Sequence, residues 1–474
     1  MDGIPAIGTR SGSDPVVAIP ISASGRSERL TTRLSRHFET ARALVQSERG
    51  TDLSDIRLLL VDDEAIFTEV REETRRLVAG QLGKGRFQER LLEALMNGQR
   101  GTYAALYSGE RRAVLVSRQV LASYLASLPG GIGREDSALL VLMLHELTHA
   151  ADDTRHAIHA SRALDFRASF AQSAVFEGHA QWRTRELCRR HGCLDGLDSL
   201  DTFMFGDTSG ESDVGRSLLE YSYVEGERFV AALAARPDGE AVIDRLLSSP
   251  PHDPLQVLDP ESFPDEAREE RNQHLLAVSR RVEHPWLGED GSGRLVMPTS
   301  PLKGVDLRDD PNRRQAAVDG FTRLVTAMVA VQFHDPTATT ISPIEVTLMQ
   351  TDSAATAGLF ADTLHAYAAK GGTASARADD GIDPSGHDAH ALHRTLTVLP
   401  DGDAWRTAIG TLGPFVVQAS GRGVGAATME DYVRGALDAL GAAYEAEIGP
   451  AAESAIEGDP ESGSRPAGGL VSSS

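Results

Sequence analysis

The stretch ALLVLMLHELTHAADD, residues 138–153, constrains this chain more than any other. Seven consecutive apolar residues, Ala138 to Leu144, lead into His145, and Leu147, Ala150 and Ala151 continue the run at helical spacing. Such a pattern reads as a central helix of a globular core. Two imidazoles and a carboxylate entering that helix are costly to bury without partners. His145 and His149 are four apart, so they share one helix face and can hold one metal ion from the same side. Glu146 projects beside such an ion and can take a proton from a water bound to it. Zinc lowers the pKa of that water towards neutrality. The competing reading is a buried helix whose two histidines are satisfied by ordinary hydrogen bonds.

A catalytic zinc needs a third protein ligand and an open position. The pattern HExxHxxGxxH would require glycine at Asp152 and histidine at Arg155, so that version is excluded. His156 and His159 fall off its register and read as residues of the following turn. The segment RASFAQSAVFEGHAQWRTRELCRRHG is a further helix, with Gly192 as its stop. It offers Glu177, and the small Gly178 and Ala180 are expected to let it pack closely on the motif helix.

HELTH followed by FEGHA resembles the gluzincin metallopeptidases of the peptidase-MA-like group, in which HExxH precedes a helix bearing an E-G-x-A motif. The resemblance spans about residues 50–265. It implies a zincin-like domain, one Zn²⁺, peptide-bond hydrolysis with Glu146 as general base, and Glu177 as the third ligand beside His145 and His149. The group also carries Asp four residues after that glutamate, as a partner for a ligand histidine. Here the place is held by Gln181, which can accept an imidazole N–H but brings no charge. Asp152 or Asp153 could compensate from the end of the motif helix. His179, two residues from Glu177, is expected on another side of its helix, in substrate contact or packing.

EYSYVEGERFVAAL is similar to the Y-x-x-G-x-x-Φ helix of aminopeptidase-like gluzincins, whose tyrosine donates to the tetrahedral oxyanion. The matching residues are Tyr223 and Gly226, with Tyr221 as the competitor. A phenol suits the task because it donates to charge that develops only in the transition state. By the same analogy, the substrate strand is RRAVLVS, Arg111 to Ser117. No Gly-x-Met-Glu-Asn motif precedes His145, which points to an endopeptidase; ATMED, around Met429, lies far downstream. PPHDPLQVLDPESF resembles a segment of other HExxH…E-G-x-A proteins, with Asp259 in a histidine's place, and reads as a clamp at the domain edge.

Charge limits the partners. A formal net charge of −22 argues against nucleic acid, which needs clustered Lys and Arg. A peptide or protein substrate is expected instead. No run approaches the ~20 apolar residues of a membrane span, and the N-terminus lacks a basic start followed by an apolar core. A soluble protein, cytoplasmic by default, is expected. Cys188 and Cys193 can pair or stay free, and neither compartment nor oligomeric state follows from them.

The expected fold is α+β. Residues 1–30 read as a flexible lead, and 31–247 as a zincin-like, mostly helical domain with a small sheet. Residues 248–298 read as a Pro-rich edge and linker, 299–448 as an α+β accessory domain, and 449–474 as a disordered tail. In the accessory domain, ISPIEVTLMQTDSAATAGLFADTLHAYAAK and GPFVVQASGRGVGAATMEDYVRGALDALGAAYEA repeat a strand–helix order, which suggests helices covering one sheet face. His387, His390 and His393 read as exposed loop residues, and GRGVGAA lacks the Lys of a phosphate loop. The rival function is a binding or regulatory module that keeps a zincin scaffold without catalysis and acts through its C-terminal domain.

Overall fold

The computed structural model describes residues 25–82, 89, 92, 93, 96, 100–128, 132–160, 166–205, 219–279, 294–297, 324–333, 344–370, 377–379, 392–398, 404–422 and 426–456. In chain order, α1 (Gly25–Arg49), β1 (Arg57–Val61), α2 (Asp63–Leu82), β2 (Ala105–Ser108), β3 (Ala113–Ser117) and α3 (Arg118–Ser127) lead into α4 (Ile132–His156). The apolar run of α4 does what its sequence dictates. Leu139, Leu144, Leu147, Ala150 and Ala151 are fully buried, packed against Leu34, Phe38, Ala41 and Val45 of α1. Those four positions trace one helical stripe on α1.

A three-stranded sheet, ordered β1-β3-β2, caps this pair. β1 runs parallel to β3, and β2 pairs antiparallel to it with Tyr107 opposite Val114. Alternation sorts the central strand. Val114 and Val116 join the core around α4, while Ala113 and Leu115 pack with Ile66 of α2. β3 is therefore the interior strand, and β1 and β2 are the edges, β2 being the one beside the His145 helix. The expected substrate strand, Arg111 to Ser117, is corrected on that ground: its backbone is taken up by partners on both sides.

Next come α5 (Phe166–His191) and α6 (Leu194–Phe205); then a π-turn (Tyr221–Glu225) opens α7 (Gly226–Ala234). Cys188 and Cys193 form a disulfide across the end of α5, where Gly192 takes φ 73°. α8 (Gly239–Ser248), α9 (Pro254–Leu258) and α10 (Glu266–Ser279) follow. The Pro-rich segment is ordered from 248 to 279. Asp253 caps α9 by accepting from Leu255 N, and Pro254 occupies the first turn, where no N–H is needed.

The C-terminal part is a seven-stranded sheet, β4 (Arg294–Met297), β5 (Val325–Phe333), β6 (Ile344–Thr351), β7 (Arg377–Asp379), β8 (Leu392–Val398), β9 (Ala404–Leu412) and β10 (Phe415–Arg422), with α11 (Ala354–Lys370) and α12 (Ala426–Ile456). Its order is β4-β5-β6-β10-β9-β8-β7, with every neighbour antiparallel. The two strand–helix units meet at the centre, Val417 opposite Leu348. Their helices do not share a face. Phe415, Val417 and Leu348 face Val433 and Leu440 of α12, whereas Val416 and Met349 face Phe360 of α11. Both faces of these strands are apolar, so each needs a helix.

Three expected boundaries shift. α1 starts at Gly25, inside the expected lead, and α12 runs to Ile456, inside the expected tail, on Ala- and Glu-rich sequence that favours helix. The expected linker also contributes α10, whose Leu275 and Val278 enter the core of the sheet. His387 and His390 lie outside the described residues. No helix among the described residues is long and apolar enough to cross a membrane.

A buried polar side chain links the two parts. Fully buried Asn272 of α10 donates to Asp253 Oδ2 at 2.8 Å and accepts from Met328 N of β5 at 2.9 Å. Asn272→Ala strips a partner from a buried carboxylate and from a strand N–H, which costs about 2–4 kcal/mol. Urea unfolding monitored by circular dichroism should show that loss; a change below about 0.5 kcal/mol contradicts the assignment.

Candidate metal centre

The three sequence-predicted ligands converge. His145 and His149 project from one face of α4, and Glu177 reaches them from α5. His145 Nε2 and His149 Nε2 lie 3.1 Å apart, and Glu177 Oε2 lies 3.1 Å and 3.2 Å from them. These donors form a near-equilateral triangle. Ligand atoms about 2.0–2.1 Å from one tetrahedral zinc lie about 3.3 Å from each other, so a small divalent cation fits this set. It is the one such His/Cys/Asp/Glu group among the described residues. Nitrogen and oxygen donors suit zinc, though they do not single it out.

Charge in the triangle is self-consistent. Burial works to raise Glu177, but the His149 charge and hydrogen bonds from both imidazoles hold it well below the usual carboxylate range. Burial works to lower His149, but Glu177 beside it lifts the imidazole to about 9. Glu146 sits next to the triangle and is 6 % exposed. Burial raises its carboxyl, partly offset by His145 and His149, and its Oε2 accepts from Tyr107 N at 2.6 Å.

Tyr223, not Tyr221, faces this centre. Its ring stacks on that of His145 at 5.9 Å, and its phenol bonds Glu177. Burial and the charges of Glu177 and Glu146 push it well above its ordinary value, so it stays a neutral donor. Tyr221 is fully buried, stacked on Phe170 at 4.2 Å, with its hydroxyl on Pro254 O. Two residues apart on a helix, the two tyrosines leave nearly opposite sides of it, and both lie in the π-turn, a feature often found at functional sites.

The crossing of α5 and α7 is set by two glycines. A Cβ on Gly178 would stand 2.1 Å from Gly226 C, and a Cβ on Gly226 would stand 2.1 Å from Ala174 O. The close approach expected of Gly178 is therefore real but corrected in partner: it admits α7 rather than α4.

Gln181, His179 and Asp153 take roles unlike those expected. Gln181 donates to Asp201 Oδ1 of α6 at 2.8 Å and does not hold a ligand imidazole. His145 Nδ1 is buried without a hydrogen-bond partner among the described residues. His179 is fully buried, so it packs and does not meet substrate. Its Nδ1 lies 2.6 Å from Asp152 Oδ2, whose other oxygen accepts from Arg49 at 3.1 Å. Burial pushes His179 down; burial works to raise Asp152, but His179 and Arg49 hold it below its ordinary value. This set joins α1, α4 and α5 behind the candidate metal ligands. Asp153 holds Tyr107 and the turn after α4. His159 lines the cleft, whereas His156 bonds Ser248, and neither enters the triangle.

Sequence reasoning missed the β2 side of the cleft. Tyr103, Tyr107 and Glu69 line it with the triangle. Burial, with a smaller push from the Glu177 charge, raises Tyr103 to about 12. Tyr107 lies on β2 and Tyr103 just before it, and no local pattern in TYAALYS marks either as a cleft residue.

No protein-family model, curated protein or solved structure matches the chain, so the geometry of the site carries the functional reading.

Two outcomes follow. With a pKa of about 9, His149 holds a proton at pH 7.5 in the metal-free protein and must give it up to bind an ion. Calorimetry of Zn²⁺ binding in buffers of different ionisation enthalpy should show about one proton released per ion at pH 7.5, declining as pH passes 9. A release near zero at pH 7.5 contradicts the site's electrostatics. Separately, Gly226→Ala should lose about 2–3 kcal/mol on urea unfolding, because neither helix backbone can yield to the new methyl; unchanged stability contradicts the crossing.

Proposed function

We propose that the chain is a zinc-dependent peptide-bond hydrolase of gluzincin type, acting as an endopeptidase. The observation that carries this reading is the convergence of His145, His149 and Glu177, with Glu146 and the phenol of Tyr223 beside them. His145, His149 and Glu177 would hold the ion. When bound, it polarises water and the scissile carbonyl. Glu146 takes a proton from the attacking water, whose oxygen bonds to the carbonyl carbon, and passes that proton to the leaving nitrogen as the C–N bond breaks. Its raised pKa in a buried setting suits a group that accepts and returns a proton. Tyr223 donates to the oxyanion formed between these steps.

The β2 edge supports a peptide as substrate. Tyr107 lies opposite Val114, and its N–H turns away from β3 towards Glu146, so this edge faces the catalytic group. An extended peptide laid along β2 would bring its backbone to Glu146 by strand addition. The lack of a Gly-x-Met-Glu-Asn motif upstream of His145 favours internal peptide bonds over chain ends.

Glu146→Gln preserves shape and metal ligands while removing the base. Against a proteome-derived peptide mixture, the wild-type zinc-loaded protein should cleave internal bonds, and the variant should be at least about 100-fold slower at equal zinc content. Equal cleavage by both, or none by either, refutes the hydrolase.

A further inference from the structure

Beyond the hydrolase reading, we infer that Tyr107 is a positioning residue for Glu146, held in place by a phenol–carboxylate bond to Asp153. Tyr107 touches α4 at two points. Its backbone N–H donates to Glu146 Oε2 at 2.6 Å, and its hydroxyl donates to Asp153 Oδ2 at 3.0 Å. Glu146 and Asp153 are seven residues apart on α4, which places them on one face two turns from each other. One residue of an edge strand thus spans the stretch of helix that carries the base and His149.

The bond to Asp153 is well anchored. Asp153 Oδ1 also accepts from His159 N at 2.8 Å, so the carboxylate ties the turn after α4 to β2. The β2–β3 turn closes on the same place, since a Cβ on Gly109 would stand 2.6 Å from His159 Cγ and 3.0 Å from Asp153 Oδ2. Ala157 and Arg112 in these two turns adopt φ of 52° and 45°, conformations that L residues keep only when their surroundings enforce them. Ser108, next along the strand, bonds Glu69 of α2, which also holds Arg111. The far end of β2 is therefore fixed from both sides of the cleft. Burial and the Asp153 charge raise the Tyr107 phenol, keeping it a donor.

The consequence is geometric. An edge strand free to slide would carry the Tyr107 N–H away from Glu146 and let the carboxylate turn, and misplacement of a catalytic group by about 1 Å costs on the order of 100-fold in rate. The Tyr107 hydroxyl contacts neither the metal ligands nor Glu146, so its removal should alter positioning alone.

The test compares wild type, Tyr107→Phe, Asp153→Ala and the double variant, all zinc-loaded and full length. Amide hydrogen exchange at Tyr107 should be at least tenfold faster in each variant than in wild type. With peptide substrate, kcat should fall about 10- to 100-fold at a KM within twofold and unchanged zinc content. The double variant should be no slower than the worse single one, because both lose the same bond. Unchanged exchange at Tyr107 overturns the inference whether or not the protein is a hydrolase. Faster exchange with kcat within twofold of wild type, or loss of activity that tracks loss of zinc, also overturns it. The hydrolase reading fails separately, through absence of any activity that depends on Glu146. If Tyr107→Phe does not fold, Asp153→Ala removes the same bond from the other end.

Discussion

Glu177 reaches from one helix to within 3.1–3.2 Å of two imidazoles on another, and this contact sets where both helices must lie. A half-buried carboxylate beside one buried and one partly buried histidine is expensive unless charges balance and atoms meet. Shifting α5 by one residue would turn Glu177 about 100° away and leave three ionisable groups stranded. Much of the surrounding structure can be read as what fixes that alignment. The apolar stripe of α1 seats α4, and the Arg49–Asp152–His179 set locks α1, α4 and α5 together behind the ligands. Gly178 and Gly226 let α7 close on α5, which brings Tyr223 over His145.

These supports differ in kind. The stripe on α1 is hydrophobic and tolerant of volume-conserving change. The buried triad is directional, since Asp152 must bond His179 and Arg49 at once. The glycine crossing is steric and admits no side chain. A site held by all three is preorganised. The C-terminal sheet joins the same body through Asn272 and through Val325, Met349 and Phe360, which share a core with Phe229 of α7.

The central helix, the glutamate helix with its stop at Gly192 and the paired strand–helix units were all legible in the sequence. Each rests on short-range periodicity or on a local stop signal. The pairing of His145 with His149 was legible from residue type and spacing, and Glu177 from the resemblance to gluzincin metallopeptidases. What escaped was three-dimensional partnership. Asp153 and Gln181 look equally able to serve a ligand imidazole in the sequence, yet one holds Tyr107 and the other Asp201. His179 gives no local hint that it meets Asp152, a partner on another helix. The choice of β2 over β3 as edge strand depends on β1, which pairs from a distant part of the chain. The opposite faces taken by α11 and α12 depend on a sheet whose two sides are both apolar, a property that a strand–helix order alone does not encode.

The central claim is that two histidines of α4 and one carboxylate of α5 hold one zinc ion. X-ray absorption at the zinc edge of the full-length, zinc-loaded protein tests it most directly. The expected spectrum has a shell of nitrogen and oxygen at about 2.0–2.1 Å with outer scattering from two imidazoles. A sulfur shell near 2.3 Å, or fewer than two imidazoles, would contradict the claim.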